Sequence, residues 1–278
     1  MKIGLILNVL GNDIKQALSQ AKQIGADGFQ MYAGSFLPHD ATQSQIQDFC
    51  NTLDDSGLIM SAICGDFGCD MYYTNNRDLI ELEKRTMYLS KQLGSGIVTT
   101  HIGVVPENKD SIQYESMLKV CRELAEYAKC LDGCFAIETG PEKADLLRRF
   151  LDDVACSGIG VNLDPANLVM CADDNPVEAV YTLKDYVVHT HAKDGIHLRD
   201  FDTKAHYAPR YYGVMPVSDE GNYKEVPLGC GSVDWKNYLQ ALSEIKYKGF
   251  LTIERECGVN PAQDVKNAVT FLDGFNVR

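Results

Sequence analysis

The sequence predicts an α/β fold, a closed (β/α)₈ barrel forming one domain over residues 1–278, and three observations carry that expectation. Short β-rich runs alternate with longer amphipathic stretches along the whole chain, as a parallel sheet with crossover helices requires. The alternation repeats as eight strand–helix pairs, the number that closes such a barrel. No G-x-G-x-x-G follows the first strand, which removes the usual fingerprint of an open, doubly wound sheet.

The strand candidates are the apolar runs Lys2–Leu7, Gly28–Ala33, Leu58–Cys64, Gly96–Ile102, Cys134–Glu138, Gly158–Asp164, Tyr186–His191 and Phe250–Glu254. Between them lie helical periodicities such as Asp13–Ile24, with Ile14, Leu18 and Ala21 on one face. In Asp78–Leu93 the apolar positions are Leu79, Leu82, Met87, Leu89 and Leu93. Gly25, Gly57, Gly94, Gly133, Gly158 and Gly249 read as helix ends. One connection breaks the pattern. Residues 195–229, after strand seven, are rich in Tyr, Pro and Gly without clear periodicity. This long loop reads either as a lid or substrate wall carrying Arg199, Tyr207, Arg210, Tyr211 and Tyr212, or as a homo-oligomer contact or decoration.

Composition narrows the function. A net charge of −13, with no run of Lys or Arg, sets the surface field against nucleic acid. No apolar run approaches the roughly 18 residues needed to span a bilayer, so no membrane partner is expected. Met1–Leu7 reads as a first strand and not as a signal peptide, and the expectation is a soluble cytoplasmic protein. The ten Cys include no C-x-x-C pair and are expected to be reduced thiols, none of them a nucleophile.

In a barrel of this kind chemistry sits at the C-terminal ends of the strands. Glu138 ends strand five, Asp164 strand six, His191 strand seven and Glu254 strand eight. An ionised carboxylate beside an apolar strand is costly to desolvate, so three gathered there call for a compensating cation. Three carboxylates and one imidazole make an oxygen-rich site for one divalent ion. Mn²⁺ is favoured, with Mg²⁺, Co²⁺, Fe²⁺ or Zn²⁺ as alternatives. A lone strand-end carboxylate is more often a helix N-cap or surface salt-bridge partner, but four such ends in consecutive units are harder to assign that way. His189 shares the face of His191 and rivals it as ligand, yet lies two residues deeper, where a filled barrel core is expected.

Three further positions have two readings each. His101, ending strand four, reads as a contact to a substrate hydroxyl or metal-bound water, or as a core histidine. Lys193 reads as an electrostatic contact to an oxyanion or phosphate, or as a salt bridge to Asp194 or a neighbouring carboxylate. Gly229-Cys-Gly231 lies where barrels often bind phosphate, but the residues also suit a tight turn with Ser232 as N-cap, which is the preferred reading.

These residues bring a resemblance into view. His191-Ala-Lys-Asp194, Pro227-Leu-Gly-Cys-Gly-Ser-Val-Asp-Trp235, Tyr247-Lys-Gly-Phe-Leu-Thr-Ile-Glu-Arg-Glu256, Ala136-Ile-Glu-Thr-Gly140 and Asn162-Leu-Asp-Pro-Ala-Asn167 resemble the xylose isomerase-like TIM barrels. That family includes ketose 3-epimerases and inosose-processing enzymes. The resemblance implies Glu138, Asp164, His191 and Glu254 as metal ligands, with Glu138 and Glu254 also the catalytic acid/base pair, one on each face of the sugar carbon. The pairing makes physical sense, because metal stabilisation of an enediolate makes a C–H next to a carbonyl accessible to a carboxylate base. The partner implied is a small-molecule carbohydrate.

Asn167 stands where a His is common in the family, and His197 where ketose epimerases often carry Arg. Both positions usually contact sugar oxygens. These departures keep open a lyase or dehydratase working on a keto-sugar or keto-glycoside through the same intermediate. An abasic-site endonuclease would need three zinc ions and more ligands than are found. A non-catalytic sugar-binding barrel would not be expected to keep all four ligand types.

Overall fold

The structure is a computed structural model describing residues 1–218 and 220–278; Asp219, inside the long excursion after strand seven, lies outside the described residues. The chain opens with β1 (Lys2–Leu5), α1 (Ile14–Gln23), β2 (Gly28–Tyr32), α2 (Gln43–Ser56) and β3 (Ile59–Cys64). It continues through α3 (Asp70–Thr74), α4 (Arg77–Gln92), β4 (Ile97–Thr100), α5 (Ile112–Cys130), β5 (Cys134–Glu138) and α6 (Ala144–Val154). β6 (Ile159–Leu163), the single turn α7 (Pro165–Asn167) and α8 (Pro176–Thr182) lead to β7 (Val187–Ala192). An arm follows, made of β8 (Asp194–His197), α9 (Thr203–Tyr207), α10 (Pro209–Tyr212) and β9 (Tyr223–Val226). The chain then returns to α11 (Trp235–Glu244), β10 (Phe250–Ile253) and α12 (Pro261–Asp273).

Eight strands pair in parallel in the order β1-β10-β7-β6-β5-β4-β3-β2. The remaining seam, between β1 and β2, is closed by a parallel bridge from Ile6 to Gln30 and by reciprocal bonds between Ile3 and Asp27. The expected (β/α)₈ TIM barrel is what forms, and the strand candidates are right to within a few residues at their ends.

The helices form where apolar periodicity and caps coincide. Asp13 accepts from the Gln16 amide and starts α1, and Thr42 with Gln45 makes a reciprocal capping box at α2. In α4 the buried face is turned from the one expected: Ile80, Glu83 and Met87 are buried while Leu79 and Leu82 are half-buried. A carboxylate therefore sits in the core. Gly25, Gly57 and Gly94 end helices at positive φ, as expected. Gly133 and Gly158 are required for a different reason, because a Cβ would lie 2.6 Å from the Gly96 carbonyl and 2.0 Å from that of Ala125.

The 195–229 excursion is more ordered than its composition suggested. β8 and β9 pair antiparallel from Asp194–Val226 to His197–Tyr223, a second, two-stranded sheet that carries α9 and α10 over the barrel mouth. All ten cysteines are free. Among the described residues no helix is long and apolar enough to cross a membrane.

Candidate metal centre and its cavity

Parallel pairing brings four distant residues to one level. Asp164 leaves the end of β6 and Glu254 the end of β10, while Glu138 and His191 are the inward-facing residues at the mouth ends of β5 and β7. One donor atom from each of Glu138, Asp164, His191 and Glu254 lies within 4.8 Å of the others, and all four residues are buried. His191 Nδ1 stands 3.2 Å from Glu138, 3.4 Å from Asp164 and 3.1 Å from Glu254.

Each ligand is held from behind. His191 Nε2 lies 3.2 Å from the Gln30 carboxamide oxygen, a contact that leaves Nδ1 to face the carboxylates. Asn162 and Asn167 each donate at 3.1 Å to one oxygen of Glu138. Asp164 Oδ1 accepts from the Ala166 and Asn167 amides, so it is indeed a helix N-cap, yet its Oδ2 is buried without a hydrogen-bond partner among the described residues. One carboxylate serves both readings weighed for it, one oxygen on the helix and the other turned to the cluster.

The electrostatics show what the cluster lacks. Burial pushes the Asp164 carboxyl up to about 6. Burial alone would also strip the proton from His191, but Glu138 and Glu254 outweigh it and hold the imidazole well above its usual range. Glu254 is buried too, and Lys193 and His191 keep it well below the ordinary carboxylate range. An imidazolium and an ammonium thus stand where three carboxylates need positive charge.

His189 sits one layer down. Its ring nitrogens meet Asn162 Oδ1 at 2.9 Å, Thr252 Oγ1 at 3.0 Å and Ser61 Oγ at 3.2 Å, and burial drives its pKa well below normal, so it is a neutral, satisfied core histidine.

Above the cluster opens a cavity of about 940 Å³. His101, Asn167, Lys193 and Glu254 line it. His101 links Asp66 at 3.1 Å to Glu138 at 3.5 Å, and against the opposing effect of burial these carboxylates lift its pKa to about 9. Lys193 is buried and pairs with Glu254 at 3.0 Å and Glu256 at 2.9 Å, not with Asp194. His197 is placed elsewhere. Its ring is engaged by the Met170 carbonyl and Asp200, and it is not among the lining residues although Tyr223, its partner across the arm's sheet, is, so the expected substrate contact does not carry over to it. Of the arm residues predicted as a wall, Tyr207 lines the cavity. Tyr211 and Tyr212 instead pack on Tyr73, Arg199 bonds Asn222, and the Arg210 side chain is largely exposed.

Gly229-Cys-Gly231 is a tight turn, as preferred, but its anchor differs from expectation. The cap of α11 is Asp234, not Ser232. The turn's Gly229 and Gly231 amides donate to Asp194, whose carboxylate collects five donors in all: Gly195, Gly229, Gly231, Val233 and the Trp235 indole.

Sequence reasoning missed Gln30 and Asn162, the carboxamides touching His191. Their signal was a polar side chain inside an apolar strand. The register shifts of the barrel fall between Phe29 and Gln30 and between Val161 and Asn162, which is how these two are aimed at the site.

A closed parallel barrel with a buried three-carboxylate, one-imidazole cluster at its C-terminal mouth defines a barrel able to hold one metal ion in an enclosed, polar site. The chain belongs to the family described as xylose isomerase-like TIM barrel, whose model matches residues 18–274. It is similar to a xylose isomerase domain protein from Planctomyces limnophilus, 27% identical over 99% of this chain and 96% of that one, with a TM-score of 0.79. At 18% identity it shares the fold of the probable 3-DHS dehydratase AsbF from Bacillus anthracis (98% and 99% covered, TM-score 0.75). At 17% it shares that of the 3-keto-D-glucoside 4-epimerase YcjR from E. coli (99% and 99%, TM-score 0.73). No curated protein matches the sequence.

Proposed function

We propose that the protein is a divalent-metal-dependent isomerase or epimerase acting on a ketose, keto-inositol or related carbohydrate. The observation that carries this reading is the convergence of Glu138, Asp164, His191 and Glu254, of which Glu254 lines an open cavity. The donors suit a metal ion, since the orphaned Asp164 oxygen and the excess of carboxylates both call for a cation. The oxygen-rich set favours Mn²⁺, with Mg²⁺, Co²⁺, Fe²⁺ or Zn²⁺ taking the same donors. A bound divalent ion would supply Lewis-acid stabilisation of the negative charge that develops when a carbon next to a carbonyl loses its proton.

The chain's own groups supply the rest. Glu254, kept ionised by Lys193, takes the proton from one face of that carbon, and Glu138, fixed by Asn162 and Asn167, passes to the other face a proton drawn from the His101 imidazolium 3.5 Å away. His101, Asn167 and Lys193 lie where the hydroxyls of a bound sugar would be met. A second reading, elimination of water from a keto-sugar, draws on one observation: the Lys193 ammonium, 3.0 Å from Glu254, places a proton donor beside the base for a departing hydroxide.

Incubating Mn²⁺-loaded protein in D₂O with ketoses, keto-inositols and keto-glycosides, followed by NMR, tests the reading. Label is expected at a carbon adjacent to the carbonyl, and Glu138→Gln and Glu254→Gln should each slow its entry by at least ~10²-fold. Exchange at the wild-type rate in both variants would remove the acid/base assignment. A new enone absorbance with loss of water would select elimination.

A further inference from the structure

We infer that the substrate is an uncharged, unphosphorylated keto-sugar carrying a second ring or a comparable substituent, held in an outer compartment built by the arm. The inference rests on the reaction class proposed above and names the molecule that the same cavity fits. Its first support is the place where a barrel would hold a phosphate, the turn after strand seven leading into a helix. Here that place is filled from within. The Asp194 carboxylate takes the Gly229 and Gly231 amides, and a Cβ at Gly231 would lie 2.1 Å from Asp194 Oδ1, so the turn is closed tightly on its own anion. A phosphate brought there would meet a carboxylate that already holds the Gly229 and Gly231 amides.

The second support is the state of the cations along the wall. Lys193 is neutralised by Glu254 and Glu256, and Arg255, only 8% exposed, by Glu225 and Asp264. Lys224 alone has no ion-pair partner among the described residues, and it is exposed to solvent, where one charge contributes little. Asp66, Glu220 and Glu256 line the same space. A phosphoryl group is recognised by several convergent donors, often including a bidentate Arg, and no such set lines the cavity among the described residues.

The third support is size. The cavity, about 940 Å³, lies at the upper end of the ~300–1,000 Å³ range of ligand pockets, and a single ketose at the metal-ready floor fills a small part of it. The rest is walled by Tyr207, Tyr223 and Gly221 of the arm and by Cys257 and Gly258 of the turn after β10. Tyrosine side chains beside small residues suit contact with a second sugar ring.

Three compounds alike except at O6 separate the possibilities: D-fructose (hydroxyl), isomaltulose (glucosyl) and D-fructose 6-phosphate. Calorimetric titration into the full chain loaded with Mn²⁺ should show isomaltulose binding at least tenfold tighter than fructose, and the phosphate ester weaker than fructose. Cys257→Trp, which fills the outer compartment from an exposed position, should cut the isomaltulose-to-fructose affinity ratio at least tenfold. A phosphate ester binding as tightly as fructose would overturn the uncharged assignment. Isomaltulose binding no tighter than fructose, a ratio unmoved by Cys257→Trp, or no binding of any of the three would overturn the second ring. Deuterium exchange run on the same compounds keeps the two proposals apart: the expected binding order without exchange counts against the reaction class and leaves the substrate class standing.

Discussion

Glu83 shows most plainly what one residue can do to this molecule. It is fully buried between α4 and the start of the β3–α3 loop, and among the described residues neither carboxylate oxygen has a hydrogen-bond partner. Burial, and then the nearby charge of Asp66, push its carboxyl well above the ordinary value of 4.5. A group raised in the folded state leaves stability untouched below the unfolded pKa and erodes it as pH climbs towards the folded one. Glu83→Gln stays neutral throughout. The variant should match wild type near pH 4 and gain on it by about 1.4 kcal/mol per pH unit above the unfolded pKa, until the folded pKa is passed. Urea denaturation at several pH values reads this, and parallel curves for the two proteins would refute it.

Residues also mark where the sequence was legible and where it was not. Glu138, Asp164, His191 and Glu254 could be named because each terminates an apolar run, a local property. Gln30 and Asn162 could not, because their roles depend on register shifts between strands that no single strand encodes. The same limit hid Glu83, whose burial depends on how α4 turns against the barrel.

At the scale of elements, the arm is the part that the sequence described least well. It looked like an irregular loop because β8 and β9 are each four residues long and lie far apart in sequence, too short to show a period of two. Several side chains tie it to the barrel, Tyr211 to Asp70 and Tyr212 to the Val104 carbonyl among them. Glu225 on β9 pairs with Arg255 and accepts the Glu256 and Cys257 amides, joining the arm to the turn after β10. Breaking a buried pair by removing one partner costs roughly 3–5 kcal/mol, here concentrated on the arm. Glu225→Ala should therefore raise amide exchange across residues 198–222 by on the order of 10²-fold, with strands β5 to β7 unchanged. A uniform rise over the whole chain would show that the arm is not a separate unit.

For the molecule as a whole, a metal ion held by the cluster at the mouth would couple its binding to folding. Four ligands drawn from the ends of β5, β6, β7 and β10 exist as a site only when the barrel is closed, so an ion that binds them stabilises the fold by mass action. Mn²⁺ at a hundred times its dissociation constant should add about 2.7 kcal/mol, a rise of roughly 5–10 °C in melting temperature over chelator-treated protein. Asp164→Asn, which keeps the cap acceptor and removes the anionic oxygen facing the cluster, should abolish most of that rise in differential scanning calorimetry. An equal shift in the variant would place the ion elsewhere.

Sequence by itself determined the barrel, the positions of its strands and the four residues at its mouth. Hydrophobic periodicity and the polarity of strand ends are properties of neighbouring residues, and they survive without knowledge of the fold. Tertiary structure alone decided that Gln30 and Asn162 touch His191, and that His197 turns away while Lys193 turns in. It also decided that Asp194 fills the phosphate position and that the arm forms a wall. Each of these depends on which groups from distant segments meet, and that is set by strand register and packing.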